Sequence, residues 1–375
     1  MTVRYFDHAA ATPLDADVLA AMQPYFSEQF YNPSATYTAG QSARKSLEAA
    51  RTQVAAVLAA RASEIIFTAG GTEANNLAIH GIMQRFPEGN IVVSSIEHDS
   101  VLAPAHHYDC REVAVMADGR IDLEDLKAKI DDNTVLVSIM YANNEVGTLQ
   151  PLRDVGQLIQ GLRKGRARPL YFHTDACQAA NYLDLQASRL GVDLMTLNGG
   201  KIYGPKQSGV LFVRGGLVLE PLILGGGQER GLRSGTENVA GAVGFAAALT
   251  KTHSLRREEA QRLEGLQEQF VDLLTEKIPQ AVLNGSRKSR LANNVHITLP
   301  GFDNERLLIQ LDEAGFLAAA GSACSASNEE PSHVLRAMGL SDQAAQASLR
   351  FTMGRATTEE QVRQVVDTLS SLVAQ

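Results

Sequence analysis

Residues capable of covalent or acid–base chemistry stand at the ends of apolar, β-rich runs in this chain. Lys201 lies in "LNGGKIYGPKQSG", Asp175 follows "LYFHT", and His98 comes shortly after "NIVVSS". A lysine amine can trap an aldehyde as a Schiff base, a carboxylate can keep a ring nitrogen protonated, and an imidazole can stack on a planar ring. The lysine loop is not a nucleotide-binding phosphate loop, because Pro205 follows Gly204 where such a loop requires lysine and a hydroxyl residue.

Polar residues after other strands could bind the rest of a ligand. Thr72, in "AGGTEANN", follows "EIIFT" at a glycine-rich turn into a predicted helix, where backbone N–H groups and the helix dipole favour a phosphate. Thr236, in "GGGQERGLRSGTEN", could supply a second phosphate contact. Asn144 and Gln178 follow two further strands and could contact ligand oxygens.

Each of these residues also has a purely structural explanation when it is considered alone. Thr72 could simply cap a helix, and a lone histidine such as His98 is more often structural than catalytic. Together, in order and each after a strand, the residues contain the parts that bind and tune pyridoxal phosphate. They are Lys201 for the Schiff base, Asp175 for the pyridine nitrogen, His98 for ring stacking, Thr72 for the phosphate, and Gln178 and Asn144 for ring substituents.

The elements that must position these residues alternate between strands and helices. Several strands read as continuously apolar runs, which is typical of strands covered by helices on both faces of a mostly parallel sheet. The seven predicted strands are "EIIFT", "NIVVSS", "REVAVM", "TVLVSIM", "LYFHTD", "DLMTLN" and "VLFVRG". In such a sheet, ligands bind in the crevice beyond the carboxyl ends of the strands.

The pattern of predicted strands and helices changes after Gly235. A long helix is predicted over about 237–276, and strand and helix patterns of an α+β layer follow it. We therefore expect a large α/β domain over residues 15–250, which binds the cofactor. A smaller domain is expected over residues 1–14 and 251–375 and would carry Cys324.

Composition narrows the class of protein. The 375 residues are 45% hydrophobic and 20% charged with a net charge of −8, which is ordinary for a globular protein and argues against a direct nucleic-acid binder. The N-terminus lacks signal-peptide features, and the most apolar stretch, "VAGAVGFAAAL", is too short to span a membrane. The three cysteines, Cys110, Cys177 and Cys324, form no Cys-x-x-Cys pair, so neither a disulfide framework nor a metal site is expected and the cytoplasm is the expected compartment.

Over nearly its whole length the chain resembles the cysteine desulfurases, pyridoxal-phosphate enzymes of fold type I in the class V aminotransferase group. The stretches that carry the resemblance include "YFDHAAATPLD", "SSIEHDSVL", "HTDACQAA", "KIYGPK", "RSGTENV", "GSACSAS" and "LRFTMGRATTEE". The resemblance implies a fold-type I large domain, in which a mostly parallel seven-stranded sheet lies between helices, plus a smaller α+β C-terminal domain.

The resemblance also assigns roles to residues of this chain. It implies that Lys201 forms the Schiff base and removes the substrate Cα proton, and that Arg350 grips the substrate carboxylate with help from Asn144. A bidentate guanidinium suits that task better than an ammonium group. The residue matching Thr236 acts across a subunit interface, so a homodimer is implied. The remaining cofactor contacts are implied for Gly71 and Thr72 at the phosphate, Asp175 and Gln178 at the pyridine nitrogen and phenolic oxygen, and His98 above the ring.

Cys324, in "GSACSAS", is implied to be the nucleophile. Its thiolate would take the sulfur atom of L-cysteine, leaving L-alanine and a persulfide for an acceptor protein, such as an iron–sulfur scaffold or a tRNA-thiolation enzyme. Without the resemblance, a cysteine is more often a small buried hydrophobe. The resemblance also leaves open a transient iron–sulfur cluster at Cys324.

This chain departs from the family pattern beside the lysine. Many members carry a histidine immediately before the Schiff-base lysine, often after a serine, whereas this chain has Asn198-Gly199-Gly200. Asn198 is expected to replace the serine's contact to the phosphate, but Gly200 cannot replace an imidazole. Some members also have a longer C-terminal tail that contacts a scaffold protein, and the printed chain ends before such a tail.

Three rival functions use the same residues differently. An aminotransferase needs no thiol at Cys324, which argues against that activity. A non-catalytic sulfur carrier or scaffold partner would not need Lys201, Asp175 and Arg350. Selenocysteine lyase on the same fold stays open at this point.

Overall fold

Residues 3–321 and 331–374 are described by the computed structural model, and the elements below are those of these residues. The strands are β1 Arg4–Tyr5, β2 Ile65–Thr68, β3 Asn90–Ser94, β4 Asp109–Val113, β5 Thr134–Ser138, β6 Tyr171–Asp175, β7 Leu194–Asn198, β8 Gly209–Val213, β9 Val282–Leu283, β10 Asn294–Thr298, β11 Phe316–Leu317 and β12 Ser348–Thr352. The helices are α1 Ala16–Met22, α2 Pro24–Ser27, α3 Thr38–Leu58, α4 Gly71–Met83, α5 Asp99–Ala105, α6 Leu123–Lys129, α7 Leu152–Leu162, α8 Ala187–Leu190, α9 Val239–Lys277, α10 Asn304–Glu313, α11 His333–Ala337, α12 Asp342–Ala345 and α13 Glu359–Val373. Short 3-10 turns cover Ala62–Glu64, Gly199–Lys201 and Glu229–Gly231.

The seven strands predicted from the sequence form one sheet in the order β2-β8-β7-β6-β5-β3-β4. Only β8 runs antiparallel to its neighbours, so the sheet is mostly parallel, as predicted. The strands β3, β5 and β8 are buried along their whole length because helices cover both faces. One apolar core includes residues of α3, α7 and α9, and a second includes residues of α4 and α5 on the opposite face.

A separate apolar core lies beyond the large sheet. It contains Phe6 and residues of α9, β10, β12 and α13, and β10 pairs with both β9 and β12. The long helix α9 joins the two parts, since Phe245 packs into the core beside the large sheet and Phe270 packs into this one. We propose that the chain divides within α9 near residue 250, with residues 1–14 joining the C-terminal part. The two cores support this division.

Within the described residues, none of the helices combines the length and the hydropathy that a membrane-spanning segment needs.

A buried ion pair fixes the turn that precedes Thr236. Arg51 on α3 donates from Nη1 and Nη2 to the two carboxylate oxygens of Glu229, at 2.6 Å and 2.8 Å. Both side chains are 3% exposed, and the Phe67 N–H of β2 also donates to Glu229 at 3.0 Å. Glu229 and Arg230 have left-handed φ values of 47° and 58°, which are costly for side-chain-bearing residues. The ion pair therefore stabilises a turn whose backbone is unfavourable by itself.

Replacing Glu229 with alanine removes the buried partner of the Arg51 guanidinium and leaves it the largely exposed carboxylate of Glu48. We expect Glu229→Ala to lower the free energy of unfolding by about 3–5 kcal/mol, measured by urea denaturation followed by circular dichroism. Glu48→Ala is the matched control, because Glu48 contacts the same Arg51 but its side chain is 53% exposed. The control should cost at most about 1 kcal/mol. Equal losses of unfolding free energy in the two variants would show that the buried ion pair between Arg51 and Glu229 does not stabilise the fold.

Burial also makes the stability of the separate apolar core, which includes β10 and β12, depend on pH. His296 on β10 is fully buried, and burial first, then the charges of Arg290 and Arg350, lowers its pKa to about 3. The folded protein therefore keeps His296 neutral while the unfolded chain takes up a proton below the ordinary value of 6.5. The stability that this residue contributes is present above pH 6.5 and is lost as pH falls towards 3.

We expect the loss of unfolding free energy between pH 7 and pH 4.5 to be smaller in His296→Gln than in the wild type, because glutamine does not titrate in this range. Denaturant unfolding at both pH values measures the difference. An unchanged pH dependence in the variant would show that His296 titrates equally in the folded and unfolded states.

Candidate active site

The carboxyl ends of β2, β3, β5, β6 and β7 lie at one edge of the large sheet, and the predicted residues follow them. They meet at a cavity of about 160 Å³. The lining includes nine of the residues selected from the sequence: Gly71, Thr72, His98, Asn144, Asp175, Gln178, Asn198, Lys201 and Arg350. Ala9, Ala10, Ser100, Met140, Ala142 and Cys177 complete the lining.

Asp175, the last residue of β6, is 9% exposed and has two protein donors. Its Oδ1 accepts the Cys177 N–H at 2.9 Å, and its Oδ2 accepts the Asn75 side-chain N–H at 2.7 Å. Each carboxylate oxygen retains acceptor capacity, so a protonated ring nitrogen could still be bound. Sequence reasoning missed Asn75; its one signal is its position on α4, one turn after Gly71 and on the same helix face.

His98 is fixed through the same network. It caps α5, and its Nδ1 accepts the Ser100 backbone N–H at 3.0 Å and lies 2.9 Å from Ser100 Oγ. Because the backbone N–H can only donate, Nδ1 is unprotonated and a neutral ring carries its proton on Nε2. Ser100 Oγ in turn accepts from Asn75 at 2.8 Å. The imidazole is thus held at the cavity by hydrogen bonds that lead back to Asp175.

Lys201 projects to the same cavity from the turn after β7. Its Nζ donates to the carbonyl oxygens of Ala9 at 2.7 Å and Ala10 at 2.6 Å. Gln178 Nε2 also donates to the Ala9 carbonyl, at 2.9 Å. Sequence reasoning did not assign these two alanines a role, because backbone acceptors leave no mark on residue type. The first residues of the chain therefore form one wall of the site.

Gly71 and Thr72, at the start of α4, also line the cavity and could bind an anion there. The first N–H groups of a helix have no partner within the helix, and the helix dipole is positive there. Gly71 is the first residue of α4, and a methyl group in its place would lie 2.9 Å from Cys177 Sγ. This close approach explains the glycine. Asn198 lies beside it, with Oδ1 accepting the Gly200 N–H at 3.0 Å.

The backbone does not require glycine at position 200. A Cβ there would lie 3.5 Å from Asn198 Oδ1 and 3.7 Å from Lys206 Cγ, which are ordinary contacts. A side chain at this position therefore has room for its first atom.

Arg350 reaches the cavity from β12 and is 1% exposed. Its Nη1 donates to the Asn144 carbonyl at 3.0 Å, and its Nη2 donates to Asp7 Oδ1 at 2.7 Å. Asn144 thus contacts the arginine through its backbone. Asp7 is not among the residues selected from the sequence.

A second buried carboxyl group lies near Asp175. Glu97 is completely buried, and its Oε1 accepts the Met140 N–H at 2.5 Å. Burial, the largest effect, together with the charge of Asp175 raises the Glu97 pKa well above its ordinary value. The shift favours the neutral form of Glu97, which avoids a second negative charge beside Asp175.

Of the predicted residues that the structure describes, Thr236 does not line this cavity. Thr236 is exposed on the loop after the Glu229–Gly231 turn. Cys324 lies outside the described residues. Of the other cysteines, burial raises the pKa of Cys110 to about 12 and that of Cys177 well above its ordinary value, so both thiols stay protonated near neutral pH.

The residues present fit pyridoxal phosphate. This cofactor needs an anion site for its phosphate, an acidic partner for its ring nitrogen and a lysine for its aldehyde. The cavity presents the start of α4, Asp175 and Lys201 for these three needs, and its lining also includes the imidazole of His98.

Comparisons with known proteins agree with this chemistry. The model of the class V aminotransferase family matches residues 4–365. "Cysteine desulfurase IscS" of Dictyoglomus turgidum is 38% identical over 98% of this chain and 94% of its own length. "Cysteine desulfurase IscS 1" of Archaeoglobus fulgidus is 40% identical over 98% of this chain and 96% of its own length.

Solved structures also match along the chain. A "NifS-like protein" superposes with a TM-score of 0.92 at 32% identity and covers 100% of both chains. A structure described as "SspA in complex with cysteine" has a TM-score of 0.81 at 35% identity and covers 93% of this chain and 98% of its own. These likenesses confirm the fold-type I architecture and the dependence on pyridoxal phosphate. The chain belongs to the class V aminotransferase family and, within it, to the cysteine desulfurases.

Proposed function

We propose that this cysteine desulfurase moves the sulfur atom of L-cysteine to Cys324 as a persulfide, for transfer to an acceptor protein. The observation that carries the proposal is the convergence of Lys201, Asp175, His98 and Arg350 on one cavity. A relative whose described structure contains cysteine supports the choice of substrate.

Each side chain of the cavity would have a role that follows from its position. Bound pyridoxal phosphate supplies the electron sink for chemistry at the substrate Cα. Asp175 would keep the ring nitrogen protonated, while the N–H groups of Gly71 and Thr72 would hold the phosphate with help from Asn198. His98 would cover the ring, and Gln178 would contact the phenolic oxygen. Lys201 would move the proton at Cα, since it is among the residues that line the cavity.

Arg350 would bind the substrate carboxylate, with Asn144 beside it. The Cys324 thiolate would then attack the substrate sulfur atom, so that an S–S bond forms as the C–S bond breaks. The carbon keeps the bonding electron pair and is protonated, which gives L-alanine. The overall change converts L-cysteine and one thiol into L-alanine and one persulfide, so atoms and electrons balance.

We also propose that the active protein is a homodimer in the cytoplasm. The exposed position of Thr236, away from the residues that line the cavity of its own chain, is compatible with a contact to the partner's phosphate. Unpaired Cys110 and Cys177 fit a reducing compartment. An iron–sulfur scaffold or a tRNA-thiolation enzyme is the proposed sulfur acceptor.

Removing the proposed nucleophile should separate cofactor binding from sulfur transfer. We expect Cys324→Ala to keep the visible absorption of the bound cofactor but to lose sulfide release from L-cysteine in the presence of a reductant. The loss should be at least about a hundred-fold, since no other group can take over a nucleophile's role. Cys110→Ala is the matched control and should retain the wild-type rate. Normal sulfide release by Cys324→Ala would exclude Cys324 as the nucleophile.

Mixed dimers test the contribution of Thr236 across the interface. A Lys201→Ala chain and a Thr236→Asp chain are each expected to be inactive as homodimers, since one lacks the amine and the other repels the phosphate. Coexpression should restore about a quarter of the wild-type rate of alanine formation, because half of randomly paired dimers then contain one intact site of two. If Thr236 served its own chain, every site would be defective and coexpression would restore nothing.

A further inference from the structure

Asp7 makes a direct ion pair with the arginine of the active site. Its Oδ1 accepts from Arg350 Nη2 at 2.7 Å, and the two side chains are 17% and 2% exposed. A guanidinium this deeply buried is costly unless its charge is matched. Asp7 supplies that match from the opposite end of the chain, 343 residues away.

The contact with Asp7 fixes the orientation of the Arg350 guanidinium and also matches its charge. Nη2 is held by Asp7 and Nη1 by the Asn144 carbonyl, so two points of a rigid planar group are fixed. Nε is buried and has no hydrogen-bond partner among the described residues. Donor capacity therefore remains on a group that lines the cavity, which is the requirement for binding a carboxylate.

The segment that carries Asp7 is itself firmly attached. The Thr352 N–H of β12 donates to the Phe6 carbonyl at 2.7 Å, and the Ala9 N–H donates to Thr352 Oγ1 at 2.9 Å. The same segment provides the carbonyls of Ala9 and Ala10 that accept from Lys201. One short stretch thus sets the position of the lysine and of the arginine relative to each other.

We propose that Asp7 is a positioning residue that determines recognition of the substrate carboxylate by holding Arg350 in its binding orientation. The inference rests on the proposed role of Arg350. It makes the affinity for amino acids with a free α-carboxylate depend on a residue that does not touch the substrate.

The test uses the cofactor-loaded enzyme and two amino compounds, only one of which has a carboxylate. L-alanine has the amino group and the carboxylate, whereas cysteamine has the amino group and a thiol but no carboxylate. Binding of each is followed through the visible absorption of the cofactor, and KM and kcat for L-cysteine are measured beside it. Asp132→Ala is the control, since the same change is made at a fully exposed aspartate (side chain 103% exposed).

We expect Asp7→Ala to raise the dissociation constant for L-alanine and the KM for L-cysteine by roughly ten- to a hundred-fold, the range for losing one hydrogen bond to a charged group. Cysteamine binding should change by less than about two-fold, because it has no carboxylate for Arg350 to bind. Asp7→Asn keeps an acceptor oxygen for Nη2 and should recover most of the lost affinity. Asp132→Ala should match the wild type for both ligands.

Two results would overturn the inference. Unchanged L-alanine binding in Asp7→Ala would show that the ion pair does not position Arg350. Equal weakening towards L-alanine and cysteamine would indicate general damage to the site. Arg350→Ala tests separately whether Arg350 binds the carboxylate. If this variant binds L-alanine normally, Arg350 does not bind the carboxylate and its proposed role is wrong. If Arg350→Ala binds L-alanine weakly while Asp7→Ala binds it normally, only the proposed role of Asp7 is wrong.

Discussion

The hydrogen bond between Asp175 and Asn75 is the interaction on which the geometry of the site depends. It joins the end of β6 to α4 at 2.7 Å. Because Asn75 follows Gly71 by four residues, the two residues lie about one turn, roughly 6 Å, apart along α4. One rigid element therefore sets the spacing between the two ends of the cofactor site, and the Ser100 hydroxyl extends the same network to His98.

The surroundings of Asp175 protect its charge. Burial, the largest effect, lowers the pKa of His173 to about 4 and raises that of Glu97 well above its ordinary range. His173 is therefore a neutral imidazole near pH 7, and the shift at Glu97 favours its neutral carboxylic acid. Neutral neighbours neither cancel nor duplicate a negative charge on Asp175, which could then bind a protonated ring nitrogen.

Much of the large sheet could be predicted from the sequence, because buried parallel strands read as short apolar runs with polar residues after them. All seven predicted strands are present, although β4 covers Asp109–Val113 where 111–116 was expected. Its register against β3, in which Asn90 pairs with Asp109, overrides the local apolar pattern. The two-residue strands β1, β9 and β11 have no periodic signal and were missed.

The candidate site, like the fold, could be predicted from the sequence only in part. Side chains with distinctive chemistry that follow strands, such as Lys201 and Asp175, could be selected from the sequence. Residues that act through long-range contacts could not: Asn75 meets Asp175 across 100 residues, and Lys201 meets the Ala9 carbonyl across 192. Such contacts depend on how the chain closes in space, which residue type and local spacing do not encode.

The ion pair between Asp7 and Arg350 has a consequence for biosynthesis. The ribosome adds roughly 5–20 residues per second, so Asp7 precedes Arg350 by roughly 20–70 seconds over their separation of 343 residues. Throughout that time the N-terminal segment has neither β12 nor its arginine to bind. The large sheet can form while the chain is still attached to the ribosome, but the site becomes competent only as the last residues emerge. A truncated nascent chain can therefore contain every strand of the large sheet and still lack the ion pair between Asp7 and Arg350.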